Sequence, residues 1–177
     1  MPEKEMGLVS DGLSEESLEN MFLTFKVADE DYAVGIEYVT EIVGIQDFKK
    51  VPDVPDFIKG VINLRGKVIP IMDVRIRFGL PPQEYTERTC IIVLEVDGVP
   101  TGIVVDEVSD VLEIPPENIS SPPGWKRGDE KSVILGLGKL EDMVCTILDV
   151  GKFLFEKEVR LTDKQKDNKL EQLDMAL

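Results

Sequence analysis

The strongest constraint on this chain is that part of it is written twice. Residues 60–74, GVINLRGKVIPIMDV, align without a gap over residues 136–150, GLGKLEDMVCTILDV. Gly60 matches Gly136, Leu64 matches Leu140, Val68 matches Val144, Ile71 matches Ile147, and Asp73-Val74 match Asp149-Val150. Upstream, VTEIVGI from Val39 aligns with VSDVLEI from Val108, and LTFKV from Leu23 with IVLEV from Ile92. A duplication of this kind implies a pair of similar subdomains. Each half reads as strand, turn, strand, short helix, linker, strand, turn, strand. The strands are short and punctuated at residues 29–31, 66–67, 97–98 and 141–142, which favours small antiparallel barrels over a sandwich or a parallel sheet.

Segments around Ile36, Val39, Ile42 and Val43, and around Val105, Val108, Val111 and Leu112, have apolar residues at helical spacing. They read as short helices that must pack on a barrel, being too short to stand alone. Residues 1–20 are polar and acidic and read as a flexible arm. Residues 159–177 read as a tail with a short terminal helix. The folded part spans residues 21–158, with halves at about 21–80 and 88–155.

The stretch 61–72 is a hairpin. Alternation puts Ile62 and Leu64 on one face and Val61, Asn63 and Arg65 on the other. Pro70 cannot donate a ladder hydrogen bond, so its strand belongs at an edge or a bulge. Asn63 and Arg65 then share either a solvated face or a recognition face.

Charge and composition narrow the function. The formal net charge is -15, with 35 acidic and 20 basic residues, which argues against a nucleic-acid or anionic-membrane binder. There is no histidine, so the commonest general base and metal ligand is missing. Cys90 and Cys145 lie in apolar runs without paired spacing and read as reduced, buried thiols of a cytoplasmic protein. The N-terminus lacks the apolar core of a signal peptide, and no run approaches a membrane span.

Several motifs fail. Residues 60–67 have the wrong glycine spacing for a phosphate loop, and Val68 stands where Ser or Thr must hold magnesium. GLGKLE at 136–141 lacks the third glycine of a dinucleotide loop. The carboxylates Asp106, Glu107, Asp110 and Glu113 lack the pattern of a calcium loop and read as solvated. Asp73 and Asp149, at equivalent strand ends, read as helix caps. No catalytic, metal or cofactor constellation emerges, and the expectation is a non-enzymatic adaptor.

VPDVPDFIKGVINLRGKVIPIMDVRIRFGL resembles the CheW family of chemotaxis coupling proteins. So do FLTFKVADEDYAVGIEYVTEIVG, GIVVDEVSDVLEI and ILGLGKLEDMVCTILDV. The resemblance covers roughly residues 20–157. It implies a mainly β fold of two five-stranded SH3-like barrels around a shared apolar interface. It implies a scaffold that joins the cytoplasmic tips of methyl-accepting chemotaxis receptors to the regulatory domain of the histidine kinase CheA. It gives functional weight to Arg65 and Glu41, with Glu41 the candidate ionic partner of Arg65. It also places Val39, Gly60, Gly102, Val108 and Val111 at positions associated with partner binding.

Val39, Ile42, Val108 and Val111 recur at matching places in the two halves. Part of this set is expected to line a groove between the barrels that receives a helical receptor tip, the alternative being that all four are core. The competing overall reading is the regulatory domain of a CheA-type kinase. The absent histidines and a natural initiating Met1 favour the free-standing adaptor.

Overall fold

The computed structural model describes residues 18–121 and 133–156. The expectations for the acidic arm and the C-terminal tail lie outside them. The strands in chain order are β1 (Met21–Val27), β2 (Glu30–Gly35), β3 (Val39–Gly44), β4 (Ile58–Leu64) and β5 (Lys67–Asp73). A one-turn helix, α1 (Val74–Arg77), follows. Then come β6 (Cys90–Val96), β7 (Val99–Val105), β8 (Glu107–Glu113), β9 (Ile119–Ser120), β10 (Ile134–Leu140) and β11 (Met143–Leu148). A helical turn, Lys152–Glu156, closes the described chain.

Two sheets result: a six-stranded one in the order β8-β1-β2-β11-β10-β9 and a five-stranded one in the order β3-β6-β7-β5-β4. The repeat equates β1 with β6, β2 with β7, β3 with β8, β4 with β10 and β5 with β11. Under that mapping the first five strands of both sheets run in the same order. The two halves have exchanged their first hairpins, so the sequence halves 21–80 and 88–155 do not coincide with the sheets. The five-stranded sheet is instead one continuous stretch, residues 39–105, while the other is assembled from both flanks of it. Pairing is antiparallel except at one edge of each exchanged hairpin: β5 runs parallel to β7, and β11 to β2, while β1–β8 and β3–β6 are antiparallel.

The hairpins are tight. Residues 28–29, 65–66 and 97–98 each form a two-residue turn with positive φ at both positions. Such turns match the right-handed twist of the flanking strands. Alternation then feeds both faces of each sheet. In β6, Ile92 and Leu94 enter a large core shared by the two sheets, while Ile91 and Val93 enter a smaller one. Leu23, Phe25, Val27, Met72, Ile103 and Val105 join the shared core. The smaller cores belong to single sheets: Ile62, Ile69, Ile71 and Val104 in one, Phe22, Ala33, Cys145 and Ile147 in the other. Cys90 and Cys145 are free thiols.

Three details differ from the sequence expectation or refine it. β3 and β8 are strands, not helices. Their i, i+3 apolar spacing comes from bulges at equivalent places. The β3–β6 register slips between Val39 and Glu41, and the β1–β8 register pairs Phe25 with Val108 but Thr24 with Asp110. A bulge adds a residue and shifts the side-chain phase, so residues three apart face the same way. Next, β5 is not an edge strand. Its register with β7 begins at Ile71, one residue past Pro70, so the proline sits where the ladder makes no demand on that side. Finally, Asp73 caps α1, accepting the Arg75 N–H at 2.9 Å, and Asp149 accepts the Lys152 N–H at 3.2 Å.

Candidate partner-binding surface

Arg65 is not on a strand face beside Asn63. It is the first residue of the β4–β5 turn, with φ 53° there and 85° at Gly66. The exposed Asn63 side chain closes that turn, its Oδ1 accepting the Gly66 N–H at 2.9 Å. From this tip the Arg65 guanidinium reaches Glu41, Nη1 to Oε2 2.7 Å. The Arg65 side chain remains 75% exposed, whereas that of Glu41 is 22% exposed.

This pair has a consequence for shape. Glu41 lies on β3 and Arg65 at the end of β4, which are opposite edges of the five-stranded sheet. In a flat sheet four strand spacings would hold those edges roughly 19 Å apart. The ion pair therefore requires the sheet to curl until its edges approach. The chain after β3 does the same from the other side: Lys49 pairs with Val61 of β4 through two backbone hydrogen bonds of 2.9 and 2.8 Å. In the six-stranded sheet β9 takes the equivalent place against β10.

The bulges bring the four expected groove residues to one side. Val39 is opposite Leu94 and Ile42 opposite Ile92, on the face of the shared core; Val108 and Val111 are opposite Phe25 and Leu23, again on that face. Val39, Val108 and Val111 are half-buried and pack against the shared core, while Ile42 is 37% exposed. The strands that carry them approach each other at Cys90. That residue pairs with Gly44 at the end of β3, and its thiol contacts the Val108 backbone. Val39, Ile42, Val108 and Val111 thus stand on the shared-core side of the edge strand of each sheet.

Gly60 and Gly102 have another explanation. Both are buried. Gly60 has φ 144°, and a Cβ there would lie 2.3 Å from the Lys49 carbonyl oxygen. A Cβ on Gly102 would lie 2.6 Å from Ile71 Cδ1 and 2.8 Å from Ile91 Cγ2. Packing accounts for the lack of a side chain at both positions.

Some features had no signal in the spacing. Asp106 is not a solvated carboxylate: Arg75 forks it, Nε to Oδ1 2.9 Å and Nη2 to Oδ2 2.6 Å. That contact raises the Arg75 pKa further. Arg77 is buried, with its guanidinium over the rings of Phe57 and Phe153 and a bond to the Phe153 carbonyl. Tyr85 donates to Asp73 at 2.9 Å, and burial, followed by that carboxylate, pushes its phenol pKa up. These contacts join residues far apart in sequence, so no local pattern announces them. Val68 and Val144, equivalent in the repeat, both stand outward, 65% and 56% exposed.

No helix among the described residues is long and apolar enough to cross a membrane. The family model described as "CheW-like domain" matches residues 21–158. This chain belongs to the CheW-like family. It is similar to the chemotaxis protein CheW of Klebsiella aerogenes, 38% identical over 151 residues that span 85% of this chain and 91% of that protein. The CheW of Bacillus subtilis is 35% identical over 132 residues, covering 75% of this chain and 85% of its own. Among solved structures, the scaffolding protein TtCheW of Thermoanaerobacter tengcongensis aligns with TM-score 0.67 and 34% identity. That alignment covers 73% of this chain and 88% of TtCheW. The CheW-like family accounts for the mainly β architecture with few and short helices.

Proposed function

We propose that this chain is a non-enzymatic, cytoplasmic coupling scaffold of bacterial chemotaxis. It joins the tips of chemotaxis receptors to the regulatory domain of the histidine kinase CheA. The chemotaxis names of its relatives, one of them a scaffolding protein, support the general role. One observation carries the finer reading: Arg65 is held by Glu41 yet leaves three quarters of its side chain in solvent. An ion pair this exposed contributes only about 0.2–1 kcal/mol to stability. Its effect is to orient a planar fork of donors outward, which suits a carboxylate or carbonyl on a partner. The apolar set Val39, Ile42, Val108 and Val111 is a second surface, of the kind that accepts an amphipathic helix.

The test is a pulldown of the purified chain with a receptor cytoplasmic fragment and with a kinase regulatory domain, separately and together. The expected result is binding to each and a ternary complex with both. Loss of one interaction by Arg65→Ala and of the other by Val108→Glu would separate the surfaces. Failure to bind either partner overturns the reading.

A further inference from the structure

The chain passes between the sheets at two places that the repeat makes equivalent. After β2 it crosses through Ile36–Tyr38 into β3; after β7 it crosses at Asp106 into β8. The two crossings are held differently. At the second, the Asp106 N–H donates to the Lys26 carbonyl of β1 at 3.0 Å, and Asp106 Oδ2 accepts the Ala28 N–H at 2.8 Å. Both contacts anchor the residue on the six-stranded sheet. The same carboxylate takes the two-bond fork of Arg75, which stands on α1 directly after β5 of the five-stranded sheet. The two side chains are only 15% and 34% exposed. One residue therefore joins the sheets through a bidentate, partly desolvated pair.

At the first crossing the repeat puts Glu37 in the place of Asp106 and Gly151 in the place of Arg75. Glycine supplies no guanidinium. Glu37 lies beside the hydroxyl of its neighbour Tyr38, on the same crossing. The internal symmetry of the fold is broken at this contact.

We propose that the Arg75–Asp106 fork is a one-sided clamp that sets the angle between the sheets and leaves the Ile36–Tyr38 crossing as the side on which they part. The shared apolar core holds the sheets in contact, but burial is non-directional. A bidentate guanidinium–carboxylate pair has a fixed plane and adds the missing angular restraint. The Ile36–Tyr38 crossing packs Ile36 and Tyr38 against the shared core but has no equivalent ion pair among the described residues, and it runs directly into β3, which carries Glu41 and Ile42. A change in the angle between the sheets moves those residues relative to Val108 and Val111 on β8. The inference concerns the fold itself and stands whichever partners the surfaces bind.

The experiment uses the full chain with spin labels at Val68→Cys and Val144→Cys, outward positions one on each sheet. Cys90→Ala removes the accessible native thiol, and Cys145 is fully buried. Electron–electron distance measurement then reads the spread between the sheets. The parent is expected to give a narrow distribution. Asp106→Asn keeps an acceptor for the Ala28 N–H but loses the charge, and the distribution broadens. Arg75→Lys keeps the charge but not the fork, and it broadens as well. Distributions as narrow as the parent's in both variants, with cooperative melting retained, would overturn the proposal and assign the angle to the apolar core alone. A parent-like width in Arg75→Lys alone would refute the role of the fork geometry.

Discussion

Gly60→Ala separates a packing role from a contact role at a position where sequence resemblance suggests partner binding. Two terms set the cost. The native φ of 144° is one that residues with a side chain rarely adopt, and forcing it costs about 1–3 kcal/mol. The new Cβ would also lie 2.3 Å from the Lys49 carbonyl oxygen, which belongs to backbone and has no flexible end to swing aside. The edge segment must retreat, breaking the two Lys49–Val61 hydrogen bonds. Each is worth about 0.5–1.5 kcal/mol net. The sum is roughly 2–6 kcal/mol, centred near 4, which for a chain of this size lowers Tm by about 8–16 °C. The assay is thermal and urea unfolding of the parent and the variant, followed by partner binding well below the lower Tm. Binding per folded molecule should be unchanged. The equivalent Gly136→Ala should cost less, because its nearest obstacle is the Ile119 Cγ2 methyl at 2.8 Å and its φ is ordinary. A Gly60→Ala protein that melts within a degree or two of the parent would refute this reasoning. So would one that stays folded but no longer binds, which would return Gly60 to the contact surface.

Arg65→Ala should change stability by no more than about 1 kcal/mol while weakening complex assembly, and Arg65→Lys should fail to restore it; normal assembly by Arg65→Ala would end the recognition reading. Val108→Glu, at a half-buried position, should cost about 1–2 kcal/mol and leave a folded protein that no longer binds a receptor fragment; outright unfolding would make Val108 core. Alkaline pH should destabilise the protein. Burial, chiefly, holds the phenols of Tyr32, Tyr38 and Tyr85 above their ordinary value of 10.0 and the Cys145 thiol above 9.0. The unfolded chain releases these protons first, so the stabilisation is complete only below about pH 8 and is lost as pH rises through the unfolded values toward the raised folded ones. Urea midpoints should be level from about pH 7 to 8 and fall by about pH 10.5; a midpoint that does not fall would contradict the raised values.

The Arg65 region shows where reading along the chain works and where it stops. The turn at Gly66 and the outward character of Asn63 and Arg65 were legible because Gly favours positive φ and polar side chains favour water. That Arg65 is part of the turn itself was not, since Arg gives no local sign of a left-handed conformation. At Val39, Ile42, Val108 and Val111 the spacing of three reads as a helix. A bulge at Thr40 and another at Ser109 produce the same spacing in a strand, and periodicity alone does not distinguish them. Asp106 gives no local sign of its role, because its partner Arg75 is distant in sequence and nothing local pairs them.

By itself the sequence determined the strands of the tight hairpins, the duplication, the capping aspartates and the absence of any histidine-based chemistry. These follow from alternation, turn residues and composition, which act within a few residues along the chain. Only the tertiary structure decided which strand joins which sheet. Each half carries the same five-strand pattern, so a hairpin such as β1–β2 meets equivalent edges in its own half and in the other. Local propensities are the same for both pairings, and the choice falls to contacts between distant segments. The exchanged arrangement packs Leu23, Phe25 and Val27 of one half opposite Ile92, Leu94, Ile103 and Val105 of the other in a single shared core. It also brings Asp106 to Arg75, and with the curl of the five-stranded sheet it sets Glu41 against Arg65. Burial and ion pairing across the sheets depend on all the strands at once, and a reading along one chain has no access to them.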